Sequence, residues 1–287
     1  MDMNIFRVLS FLLMLQFSFG VAAQEKYPVV LECELQSEIL CTAKKYCIYL
    51  PEGYADGERA FPVLYLLHGL TDTHTAWRDK GNVQDIAAEV MRSGNACEMI
   101  IVMPDAGTDY DGYFNCEGWR YEDYFFQEFI PHVENMYRII ADRQHRAIAG
   151  LSMGGGGTTW YAINHCDMFS SAYAMSALMG MIENSWISRS PDERRRVFME
   201  SAVANNNIKA VDNATDEQRA RIASVRWFID VGDEDFLFDN NMDFIKAMRS
   251  KRIPYQLRVR DGGHTWQYWQ DALRMALPFV SEGFGAK

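Results

Sequence analysis

The chain has 287 residues, 48% of them hydrophobic and 13% aromatic, enough to bury a sizeable core. Its 39 acidic and 28 basic side chains leave a net charge of −11, which argues against nucleic acid or an anionic membrane as partners.

At the start, Arg7 precedes the apolar stretch "VLSFLLMLQFSFG" and then "VAA". A short positive region, an apolar core and small residues before a cut predict a signal peptide over residues 1–23, removed after Ala23. The apolar core is shorter than the ~20 residues needed to span a bilayer. No cysteine follows the cut, so a free periplasmic or secreted protein is expected, without a lipid anchor. Residues 24–287 then suit one domain, with no repeats or low-complexity linkers.

Six cysteines follow: Cys33, Cys41, Cys47, Cys97, Cys116 and Cys166. Cys33 and Cys47 fall on successive predicted strands and could face each other across a disulfide, although a core of this size needs no staple. None has zinc-ligand spacing, and neither a metal nor another cofactor is expected.

The elements follow in order. "YPVVLECEL" (27–35) and "AKKYCIYLP" (43–51) predict a strand pair. "FPVLYLLHG" (61–69) is a continuous apolar run, expected of a strand buried on both faces. A helix over 81–94, a strand over 97–107 and a long helix over 121–139, bent or restarted at Pro131, come next. "HRAIAGLS" (145–152) is another buried strand, followed by a helix to about His165. Strands over 169–177 and 225–235, a helix over 239–251, a strand over 255–264 and a helix over 266–280 complete the chain. The alternation predicts an α/β fold: a mostly parallel, doubly wound sheet with helices on both faces, extended at one edge by the antiparallel opening pair. Between 181 and 224 the strand rhythm lapses into polar, helix-prone sequence, expected as a lid-like insertion over the top edge.

Glycine costs a helix about 1 kcal/mol relative to alanine, yet four glycines open the helix after "GLS" in "AIAGLSMGGGGTTW" (147–160). Gly150-Leu151-Ser152-Met153-Gly154 fits G-x-S-x-G between an apolar strand and a helix, the context of a nucleophile elbow. A serine hydroxyl needs a base, and the base an orienting acid. His264, behind two glycines in "DGGHTW" after the last strand, is placed as the base. The acid comes from "VGDEDF" (231–236): Asp235 is favoured because it sits far enough into the loop to turn back, with Asp233 the alternative. Asp230, within the strand, reads as structural. An oxyanion hole needs two backbone N–H groups; Met153 and Leu70 are nominated, with His68 and Gly69 shaping the second loop.

The stretches "LYLLHGLTDTHTAW", "MIIVMPD", "YEDYFFQEFIPHVE", "RAIAGLSMGG", "GDEDFLFDNNMDF" and "GGHTWQYW" together resemble the esterase D-like branch of the α/β-hydrolases. That branch includes the feruloyl and acetyl-xylan esterases of carbohydrate esterase family 1. The resemblance runs from about Lys44 to Trp269. It implies an α/β-hydrolase fold with Ser152 as nucleophile, Asp235 as acid, His264 as base and amide donors at Leu70 and Met153. Two departures stand out: "His165-Cys166-Asp167" where the family usually has His-Pro-Asp, and Gly157 where relatives often carry a bulkier residue.

The expected function is a secreted serine esterase that removes feruloyl or acetyl groups from plant-type glycans through an acyl-enzyme. Its partner is a small ester or esterified glycan. Trp77, Trp119, Tyr121 and Trp266 are candidate pocket residues, and the insertion is expected to form the rim. An acyltransferase that replaces water with an alcohol acceptor is the second reading. A non-catalytic binding protein on the same fold is the third. The oligomeric state is not legible.

Overall fold

The computed structural model describes residues 27–107, 111–181 and 192–285. The expected signal peptide and part of the insertion, 182–191, lie outside the described residues.

Eight strands form the main sheet: β1 (Val29–Ser37), β2 (Thr42–Leu50), β3 (Val63–Leu67), β4 (Ile100–Pro104), β7 (Arg146–Leu151), β8 (Ser171–Met175), β9 (Arg226–Gly232) and β10 (Gln256–Arg260). A small hairpin, β5 (Asn115–Cys116) and β6 (Trp119–Arg120), stands apart. The sheet order is β1-β2-β4-β3-β7-β8-β9-β10. β1 and β2 pair antiparallel with each other, and so do β2 and β4, while every later neighbour is parallel. The expected α/β architecture and its antiparallel edge are therefore present.

Continuous apolar strands arise because both sheet faces are covered. In β3, Val63, Tyr65 and Leu67 enter one core while Leu64 and Leu66 enter the other. The period-2 pleat divides one run between two layers. Helices Val83–Arg92 and Trp266–Gly283 cover one face, contributing Ile86, Ala87, Ala272 and Leu273. Helices Met153–Asn164 and Phe238–Ser250 and the segment from Tyr121 to Met136 cover the other. That segment restarts as expected: a wide π turn over Phe125–Phe129 precedes Ile130–Met136, which opens at Pro131, a residue with no N–H to give.

The disulfide option does not survive the register. Cys47 lies opposite Glu32 and Cys33 opposite Tyr46. One step along a strand reverses the face, so Cys33 packs toward one core and Cys47 toward the other. All six cysteines are free thiols.

The described part of the insertion is helical: Glu193–Ala204, Asn207–Asp212 and Asp216–Ile222. It is tied to the sheet's upper edge. Asn207 donates from its backbone to the Met179 carbonyl at 2.9 Å and from its side chain to the Gly156 carbonyl at 3.2 Å. Among the described residues no helix is long and apolar enough to cross a membrane.

Candidate active site

Strand β7 delivers Ser152 at its end, and the next residue starts a helix. Ser152 holds φ 54° and ψ −117°, outside the regions that L-residues prefer. Hydrogen bonds fix this turn: the Ser152 N–H donates to Met175 O (2.9 Å), and Ser152 O accepts from Gly156 and Leu178 (3.0 and 2.9 Å). The glycines explain the tightness. A Cβ on Gly154 would sit 2.5 Å from the His68 carbonyl oxygen, against backbone that cannot swing aside.

The far end of the chain brings the imidazole. His264 follows β10 in a loop lowered onto the end of β9; a Cβ on Gly232 would fall 1.9 Å from Gly262 O. Its Nε2 lies 2.9 Å from Ser152 Oγ. Its Nδ1 lies 3.0 and 2.9 Å from the two Asp235 carboxylate oxygens. The carboxylate partner draws the ring proton to Nδ1 and leaves Nε2 to accept from the serine hydroxyl.

The Asp235 side chain is fully buried. Burial alone would push its pKa up. Hydrogen bonds from His264, from the Leu237 N–H (2.8 Å) and from the Ser176 hydroxyl outweigh that and hold the carboxyl below its ordinary range. Ser176, at φ 46°, also accepts from Trp269 Nε1 at 3.1 Å. The neighbouring carboxylates serve elsewhere. Asp233 is exposed and accepts from the Gly262 N–H at 3.1 Å, shaping the His264 loop. Asp230 is buried among Tyr173 Oη, Tyr268 Oη and Arg258, at 2.5, 2.6 and 2.6 Å.

The two nominated amides flank the serine. Met153 opens its helix, where first-turn N–H groups lack an intrahelical acceptor. Leu70 follows Gly69, where an added Cβ would lie 3.6 Å from Ser152 Cβ. The loop is clamped through His68. Its Nδ1 meets Gly69 O at 2.8 Å, and its Nε2 accepts from the Ala106 N–H at 2.9 Å. Tyr113 Oη accepts from the His68 N–H (2.8 Å) and donates to the His68 carbonyl (3.1 Å). Gly157 gives that ring its room: a Cβ there would meet Tyr113 Cβ and Cγ at 2.9 Å. Nothing in the sequence marked Tyr113, which lies 45 residues from His68. It also lies 44 residues from Gly157.

The aromatic candidates divide. Trp77 and Tyr121 have no exposed surface and are core residues, a correction to their expected pocket role. Trp77 Nε1 donates to Leu67 O at 3.0 Å, and Tyr121 stacks on Trp119 with centroids 5.6 Å apart. Trp119 is partly exposed and lines a cavity of about 360 Å³ with Asp111, Arg194 and Val197. Trp266 is partly exposed but packs on Trp77 and Trp269, which stands between it and His264. Phe236, next to Asp235, is the aromatic that reaches the imidazole from outside, 4.5 Å between centroids. Its place directly after Asp235 in "DEDF" was the available signal.

Residues 37–280 match the sequence profile of a family described as putative esterase. The chain belongs to this esterase family. A solved structure titled ferulic acid esterase is 46% identical, covers 90% of this chain and 98% of its own, and superposes with a TM-score of 0.86. Among curated relatives, endo-1,4-beta-xylanase Y of Acetivibrio thermocellus is 27% identical over 82% of this chain and 22% of its own length. An endo-1,4-beta-xylanase/feruloyl esterase of Xylanibacter ruminicola is 33% identical over 42% of this chain and 18% of its own. The chain thus spans only about a fifth of these curated relatives. It spans about half of an esterase of Mycobacterium tuberculosis, Esterase Rv1288, that is 25% identical over 80% of this chain. The esterase likeness expected from the motifs holds at the level of family and fold.

Proposed function

We propose that this family member is an exported serine esterase that releases feruloyl groups from esterified glycans. The observation that carries the reading is the continuous relay Ser152–His264–Asp235, with contacts of 2.9 to 3.0 Å at the end of a strained strand-to-helix turn. In this scheme Ser152 Oγ bonds to the ester carbonyl carbon while its proton passes to His264 Nε2. The carbonyl oxygen takes up negative charge between the Met153 and Leu70 amides, each donor contributing about 3–4 kcal/mol to the transition state. The C–O bond to the alcohol then breaks, and His264 returns the proton to the departing oxygen. Water, deprotonated by His264, resolves the acyl-enzyme and restores Ser152. Asp235 stays ionised throughout and steadies the imidazolium.

The feruloyl assignment is supported by the 46% identical ferulic acid esterase and by one xylanase relative that carries feruloyl esterase in its name. Export rests on the leader ending at Ala23, and 24–287 is taken as one domain with the insertion as rim. A fluorophosphonate probe should label the wild type and not Ser152→Ala. Methyl ferulate should be turned over faster than acetylated xylan or long-chain p-nitrophenyl esters. A wild type that neither labels nor hydrolyses any of these esters overturns the reading.

A further inference from the structure

The turn that buries Asp235 pushes the next residue outward. Phe236 is 76% exposed, more than any other large hydrophobic side chain among the described residues. Scattered apolar residues on a surface need no explanation. This one differs because of what it touches. Its ring lies 4.5 Å from the His264 imidazole, tilted by 48°. The other aromatic on that imidazole, Trp269, is buried and meets it edge-on at 4.9 Å. Trp269 backs the ring from the interior and Phe236 covers it from solvent.

The side on which Phe236 lies has a chemical meaning. In the proposed reaction Nε2 delivers its proton to the oxygen of the departing alcohol, so the alcohol half of the ester lies against His264. The carbonyl oxygen faces the Met153 and Leu70 amides instead. An aromatic face exposed beside the imidazole is therefore within reach of the alcohol half, which the imidazole must meet, rather than of the carbonyl oxygen at the two amides. A sugar ring presents a C–H face that packs on the electron-rich face of an aromatic ring, and a methyl group is too small to cover it.

We propose that Phe236 is a specificity-determining residue that stacks on a sugar ring in the alcohol half of the substrate. This rests on the esterase reading and extends it to the leaving group.

The test compares methyl ferulate with a feruloyl ester of an arabinofuranoside, using wild type, Phe236→Ala and Phe236→Tyr. The parameter is kcat/KM, which covers only the steps through release of the alcohol. Phe236→Ala should lose about fivefold to tenfold on the sugar ester and stay within about twofold on methyl ferulate, the size of one aromatic contact. Phe236→Tyr, which keeps the ring, should retain the preference. An equal fall on both esters would assign the ring to bracing His264, and no fall on either would assign it no role; both outcomes overturn the proposal. A wild type inactive on both esters rejects the esterase reading itself, and this inference with it.

Discussion

The helix that follows Ser152 and the helices of the insertion are built on opposite principles. Met153–Asn164 begins with four glycines after its first residue, carries no acidic side chain in its first turn and has no side-chain cap, the Ser152 hydroxyl facing His264 instead. It is nonetheless buried through most of its length. Its place comes from residues distant in sequence: the His68 backbone against Gly154, Ala177 against Gly155 and the Tyr113 side chain against Gly157. The insertion helices are more exposed and locally encoded. Asp192 caps the N–H of Arg195, Asn206 that of Lys209, and Thr215 forms a capping box with Gln218. The candidate site is thus specified by long-range packing and the insertion by short-range signals. Substitutions should separate the two.

The largest effect is expected at the buried acid. Asp235→Asn keeps the shape but removes the charge that orients His264, and kcat should fall about 10⁴-fold. Asp233→Asn, two residues away and exposed, should stay within about tenfold, since the amide oxygen still accepts from Gly262. The pH dependence follows from the sign of the shift. The folded pKa of Asp235 lies below its ordinary 3.8. Its hydrogen-bonded carboxylate therefore contributes stability at every pH above that value and loses it only as pH falls through the lower folded pKa. An acid limb of kcat/KM at higher pH must then belong to a group other than Asp235 and should persist in Asp235→Asn. A pH–rate profile of wild type and Asp235→Asn checks this, and full activity of Asp235→Asn with loss in Asp233→Asn would return the acid to Asp233.

The next effect tests whether distant packing sets the oxyanion loop. Tyr113→Phe keeps the ring against Gly157 and removes both hydrogen bonds to the His68 peptide. If that peptide aims the Leu70 N–H, kcat should drop about tenfold with KM little changed, a fraction of the roughly 10²–10³ lost with a whole oxyanion donor. Gly157→Ala forces the same ring to move, so the double variant should lose less than the product of the single losses. Full additivity would mean that the two residues act independently.

The same division explains what the sequence disclosed. Strand–helix alternation, the G-x-S-x-G turn and the order serine, acid, histidine are local patterns, and the structure brings Ser152, Asp235 and His264 together. Pairings were not legible. Cys33 and Cys47 sit on the expected strands, but their register, one residue out, follows from the whole of the β1–β2 ladder. Residue type alone marks Trp77 and Tyr121, whereas burial depends on which neighbours close over them: Leu67 and Trp266 for one, Trp119 and Tyr113 for the other. The hairpin around Trp119 has two residues per strand, too few to show a period. Gly157, a family departure without an evident reason in sequence, finds that reason in Tyr113.

The smallest effect is expected at the rim. Thr215 accepts from the Gln218 N–H at 3.2 Å, and the Gln218 side chain accepts from the Thr215 N–H at 2.9 Å. Thr215→Ala removes the first of these bonds and should cost about 1 kcal/mol of stability by denaturant titration. On methyl ferulate, kcat should be unchanged, because a frayed helix start at residue 216 leaves the glycine contacts of the nucleophile turn intact. The route by which it could fail is specific. Phe198 of the insertion packs against Gly112, which also approaches Met153, and the Asn207 side chain holds Gly156 O. If loosening Thr215 lowers kcat as well as stability, strain is reaching Met153 along that path. The rim would then be part of the machinery that aims the oxyanion donors.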